Sequence, residues 1–182
     1  MRGFGAVAAR VYGWLYRRSP SNAVVIELLE LRDGDRVLEV GCGPGTAVAL
    51  AAERIGADRV AAVDPSSTFV DMVRDRVPGA DIREGSAEKL PFDDGTFTAI
   101  WSIASMHHWP DREAGLAEQA AKLAPGGRLL IAERLLKRPG HGITAAQTAE
   151  VIAHLERLGL NDVRAVERPS GRKTLQVIHA SH

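Results

Sequence analysis

The sequence predicts an α/β protein built on a doubly wound, mostly parallel sheet with helices on both faces. Three observations predict it. Short apolar runs alternate with helical patterns along nearly the whole chain, and strands joined through helices run parallel and bury both faces. The first of these runs leads into a glycine-rich turn, Gly41-Cys42-Gly43-Pro44-Gly45, that opens a helix; such a corner presents backbone N–H groups to a ligand. The last two strand-like runs are separated only by a short turn region, which makes them an antiparallel hairpin. A chain of 182 residues suits one domain, 1–182, able to bury about two thirds of its unfolded surface.

The elements follow in order. Val7, Val11, Trp14 and Leu15 share one face of a predicted helix over 4–16, within an N-terminal extension spanning 1–20. Ser19-Pro20-Ser21-Asn22 breaks that helix and caps the next, predicted over 23–31. Asp33-Gly34-Asp35 turns the chain into a strand at 37–40. A helix over 46–55 precedes the second strand, 60–63, which ends at Asp64. A helix over 66–76 stops at Pro78-Gly79, and a short strand at 81–84 leads to a loop through Pro91. The fourth strand is predicted at 97–102, and a helix over 112–123 ends in the turn Ala124-Pro125-Gly126-Gly127. Strand five at 128–133, a helix over 145–158 closed by Gly159, and strands at 163–168 and 174–179 complete the chain.

Composition excludes several classes. With 23 basic and 23 acidic residues the net charge is zero, so no global field attracts nucleic acid or an anionic membrane, and neither is expected as a partner. Cys42 is the sole cysteine, which rules out an internal disulfide and points to a reducing compartment. No apolar run approaches the ~20 residues of a membrane span, and the N-terminus lacks the pattern of a signal peptide. The cytoplasm is the expected location.

In an open parallel sheet, ligands bind beyond the carboxyl ends of the strands near the point where strand order reverses. Glu39 and the 41–46 turn follow strand one, and Asp64-Pro65-Ser66 follows strand two. Gly85-Ser86-Ala87-Glu88 follows strand three, and Ser102 to Trp109 follows strand four. Asp64 lies 23 residues after Gly41, close to the ~20 expected of a carboxylate that accepts ribose hydroxyls. The same side chain can also cap the following helix. The turn departs from the dinucleotide pattern G-x-G-x-x-G, because Thr46 holds the sixth position and the third glycine arrives at 45. Cys42 reads as a packing residue rather than a nucleophile. His107 and His108 are adjacent, but no Cys or carboxylate nearby in sequence completes a ligand set, so no metal is expected. Either histidine could act as a general base, or both could simply orient their loop.

Four segments carry a resemblance to a known family: VLEVGCGPGT (37–46), the run Gly85 to Phe97, the run Ser102 to Trp109, and APGGRLLI (124–131). In this order and spacing they resemble the class I S-adenosylmethionine-dependent methyltransferases of the small-molecule type, from about residue 22 to the end. The resemblance implies a Rossmann-like sheet of seven strands in the order 3-2-1-4-5-7-6, with strand seven antiparallel. It implies S-adenosylmethionine as cofactor and a small-molecule acceptor. The matching cofactor-binding positions are Glu39, Gly41, Cys42, Gly43, Gly45, Asp64, Pro65, Ser66, Ser86, Ala87, Glu88 and Ser102, with Glu39 toward the methionyl ammonium. His107 and His108 border the acceptor side. Ser86 stands where the family has an aspartate, and Thr98 where it has an acid after the strand-four phenylalanine; both changes bear on cofactor affinity. The resemblance also leaves room for a cofactor-binding but catalytically silent subunit, and Gly41 with Asp64 for a nicotinamide oxidoreductase.

Relatives often carry a helical insertion after strand five that covers the acceptor. Here residues 134–144 form a short connection, and Arg138-Pro139-Gly140-His141-Gly142 reads as a bare loop. A lid must then come from the N-terminal helix, with Tyr12, Trp14 and Tyr16 lining a pocket, from the second subunit of a homodimer, or not exist.

Overall fold

The computed structural model describes residues 20–182. The helix expected over 4–16, with Tyr12, Trp14 and Tyr16, lies outside the described residues. Helix α1 spans Pro20–Leu28 and is followed by strand β1, Val37–Val40. Next come α2 (Thr46–Ile55), β2 (Val60–Asp64), α3 (Ser67–Arg76), β3 (Asp81–Glu84) and β4 (Phe97–Ile103). Then follow α4 (Arg112–Lys122), β5 (Leu123–Leu136), β6 (Ile143–Thr144), α5 (Ala145–Arg157), β7 (Asn161–Ser170) and β8 (Lys173–Ser181).

The main sheet runs β3-β2-β1-β4-β5-β8-β7, and the two-residue β6 pairs only with the end of β5. Strands β1 to β5 are parallel, and β8 is antiparallel to both β5 and β7. With β6 left out of the count, this is the predicted order, with the last strand reversed. The closing hairpin turns through Gly171 and Arg172, because Ser170 pairs with Lys173. Pro169 is tolerated in β7 because that strand lies at the sheet edge.

Two boundaries differ from the sequence reading for identifiable reasons. Pro20, read as a breaker outside the helix, instead occupies the first turn of α1, where no N–H is needed. The helix then ends earlier than predicted, at Leu28, and Glu30 takes a left-handed φ of 46°. Strand β5 is far longer than 128–133. Phe97 pairs with Leu123 and Ala99 with Arg128, so the segment 124–127 bulges out of a continuous ladder.

Alternation along the strands sorts the core into two layers. Val37 and Trp101 face Val25, Val48 and Val73 of α1, α2 and α3. Leu38, Val40 and Ile100 face Leu116 of α4 and Val151 and Leu155 of α5. Strand order reverses between β1 and β4, which places the crevice at their carboxyl ends.

Candidate active site

Each functional segment leaves a strand at its carboxyl end. After β1, the amides of Gly41 and Cys42 both donate to the Val63 carbonyl, at 2.8 and 3.1 Å, and so pin the glycine turn onto β2. Gly41 has φ 75°, and a Cβ there would stand 1.9 Å from Ser105 Oγ. No side chain fits. Gly43 has φ 49°, and a Cβ there would meet nothing within 4 Å. Its exposed face is open space at the mouth of the crevice. Gly45 opens α2 as its N-cap residue.

Asp64 closes β2 and is buried. One carboxylate oxygen accepts the Gly43 amide at 2.8 Å, and the other accepts the Ser66 amide at 2.9 Å. Asp64 thus braces the glycine turn and the amide of Ser66, and it is Ser66, not Asp64 as the capping reading had it, that stands at the N-cap of α3. Burial pushes its pKa up while the two amides pull it down. Each oxygen keeps a lone pair for a further donor. Pro65 is exposed and Ser66 half-buried.

Glu39 sits opposite Trp101 of β4 and Ala62 of β2, on the apolar face beneath α2. It is only 3% exposed, and its Oε2 has no hydrogen-bond partner. Burial raises its pKa to about 8, against the pull of the Trp101 indole and the Val48 amide, with Asp64 adding to the rise. Cys42 is buried, and desolvation pushes its thiol further up, as suits a packing residue.

Beyond β3, Ser86 bridges to Lys89, Ala87 is buried, and Glu88 accepts the Asp111 amide at 3.3 Å. Ser102, predicted as the last residue of strand four, lies within β4, buried, with an unpartnered Oγ. Thr98 belongs elsewhere. It donates to Asp35 at 2.7 Å and accepts the Arg36 amide at 3.1 Å, at the amino end of the sheet. Its departure from the family pattern therefore does not touch the crevice.

The 102–109 segment turns through Ala104, held at φ 50°. His107 Nδ1 lies 2.8 Å from Glu133 Oε2, and its backbone amide reaches Glu133 Oε1 at 3.3 Å. Glu133, 1% exposed in β5, is the buried partner of His107 that sequence reading missed. Its signal was its place near the carboxyl end of the strand beside β4. The loop expected to be bare folds onto this pair: the His141 ring lies 5.6 Å from His107 and 5.7 Å from His108. Desolvation first, then His107 and His141, lowers the pKa of His108 and favours its neutral form. The crevice thus has a glycine turn and carboxylates on one side and imidazole nitrogens on the other.

Comparison with known proteins bears on this arrangement. Residues 38–131 match the family model described as a methyltransferase domain. The methyltransferase GfsG of Streptomyces halstedii is 32% identical over 82% of this chain, which covers 63% of GfsG. The 27-O-demethylrifamycin SV methyltransferase of Amycolatopsis mediterranei is 31% identical over 82% of this chain, which covers 64% of that protein. The chain therefore spans just under two thirds of these relatives. The crystal structure of an S-adenosylmethionine-dependent methyltransferase from Aquifex aeolicus superposes with a TM-score of 0.76 at 19% identity, covering 98% of both chains. The match over more than half of the chain, on a sheet of the same order, makes it a member of the methyltransferase domain family.

Proposed function

We propose that this protein transfers a methyl group from S-adenosylmethionine to a hydroxyl of a small-molecule acceptor. One observation carries the cofactor reading: the glycine turn is braced by Asp64 and leaves the Gly43 face open, a cradle that any side chain at 43 would fill. The unpartnered Oε2 of buried Glu39 fits the same ligand, because a carboxylate kept without a donor suits a cation that arrives with it. Asp64 accepts ribose hydroxyls through its remaining lone pairs, and Ser66 lies beside it. Ser86, Ala87 and Glu88 border the base, with Ser86 giving a weaker contact than a carboxylate would. When bound, S-adenosylmethionine supplies a sulfonium methyl already activated by its positive charge.

The chain's remaining task is to align the acceptor, exclude water and help remove its proton. His107 and His108 stand on that side, with His107 oriented by Glu133. A hydroxyl acceptor fits a site equipped to take a proton, and the rifamycin relative's name specifies an O-demethyl substrate. Calorimetric titration with S-adenosylhomocysteine, S-adenosylmethionine and NAD, repeated on Asp64→Ala, tests the cofactor reading. Micromolar binding of the two sulfur ligands, lost in the variant and absent for NAD, is the expected result. Binding of NAD alone would replace methyl transfer with hydride transfer.

A further inference from the structure

We infer that His107, His108 and His141 form a binding site for a divalent transition-metal cation of the zinc class at the acceptor end of the crevice. One ring nitrogen from each histidine lies within 4.8 Å of the other two. A Zn–N bond of about 2.0–2.1 Å in tetrahedral geometry sets imidazole nitrogens about 3.4 Å apart. The gap is therefore closed by small rotations of the rings. His108 and His141 are exposed and free to make them, and a cation reaches them from solvent.

A second observation separates this cluster from a chance meeting of histidines. His107 places its Nδ1 2.8 Å from the buried carboxylate of Glu133, which fixes the ring and leaves Nε2 as the nitrogen available to a metal. A carboxylate that orients a histidine in this way is the usual outer support of a metal-bound imidazole. His141 enters from the loop before β6, and β6 anchors that loop by pairing Ile143 with Leu135 of β5. Three neutral imidazoles suit zinc and its neighbours, and three protein ligands leave a fourth position open.

The cation's existence does not depend on the methyl-transfer reading; its use in catalysis rests on that reading. At the open position an acceptor hydroxyl coordinates through oxygen, its O–H bond breaks, the proton passes to solvent, and the alkoxide stays on the metal. The histidines then assist deprotonation by holding the cation, which lowers the pKa of an oxygen bound to it.

The test is metal binding by tag-free protein stripped of metal, read by calorimetry with Zn²⁺ and by visible absorption with Co²⁺. One Zn²⁺ per chain and the strong visible bands of tetrahedral Co²⁺ are expected. Glu133→Gln should weaken binding by about 10- to 100-fold, the usual cost of losing an outer-shell partner. His141→Ala should weaken it at least as much, and His182→Ala, at the far terminus, should leave it unchanged. S-adenosylhomocysteine binding is measured on every variant: its retention shows a folded cradle and keeps a failure here distinct from a failure of the cofactor reading. No saturable Zn²⁺ binding, or binding unaffected by His141→Ala, would overturn the proposal.

Discussion

Glu39 places a titratable group where neutrality favours folding and charge favours the ligand. Its folded pKa of about 8 stands above the ordinary 4.5, because burial outweighs the indole of Trp101 and the amide of Val48. The folded protein therefore holds a proton on this residue that the unfolded chain has already released. Between about pH 4.5 and 8 the unfolded state binds fewer protons, so stability falls as pH rises through that window. Glu39→Gln keeps the shape and removes the titration. It should be more stable than the parent at pH 8, by on the order of a few kcal/mol, with the gap closing toward pH 4.5. The same variant should bind S-adenosylhomocysteine more weakly, since the carboxylate offered to the ammonium is gone. Thermal melts across pH read the first effect and titration the second; a stability gap that does not change with pH would refute the placement of this charge.

At the scale of elements, Thr98 separates two uses of the sheet's ends. Its hydroxyl joins Asp35, which also receives Arg128 at 2.5 Å, while Arg128 Nε donates to the Leu29 carbonyl. This network ties the end of α1 to β4 and β5 at the amino end of the sheet. Thr98→Val leaves the Arg36 amide and Asp35 each without one partner, at a cost of about 1–3 kcal/mol. Denaturant unfolding should show that loss while S-adenosylhomocysteine affinity stays the same. Weaker ligand binding with unchanged stability would return Thr98 to the role the family pattern implied. The contrast shows what the sequence could carry. Strand positions, the glycine turn and the closing hairpin were legible because each depends on residues adjacent in the chain. The length of β5 was not, since Pro125 and the glycines beside it mark a turn locally but form a bulge inside a ladder with β4. Nor was the meeting of His107, Glu133 and His141, which depends on β4 lying beside β5 and on a loop folding back over both.

Across the whole molecule, the glycine turn and the 102–109 loop are packed as one unit. Gly41 lies against Ser105, and Ser105 Oγ accepts the Trp109 indole N–H at 3.0 Å. Trp109 in turn rests on Gly115 of α4, where a Cβ would stand 2.7 Å from Trp109 Cε3 and 3.3 Å from the Ala87 Cβ. Asp111, the N-cap of α4, takes the Ala114 amide on its side chain and gives its own amide to Glu88. A path of close contacts thus runs from α4 through both loops to the glycine turn. Gly115→Ala tests whether that path transmits strain. Replacing a mid-helix glycine by alanine favours the helix by about 0.8–1 kcal/mol, while overpacking against an indole costs about 1–3 kcal/mol. The clash should win, lowering the melting temperature. Displacement of Trp109 and Ala87 should also weaken S-adenosylhomocysteine binding several-fold, although residue 115 belongs to neither the glycine turn nor the 86–88 loop. A higher melting temperature with unchanged affinity would show that the indole moves aside freely, and that the two halves of the crevice are not packed as one.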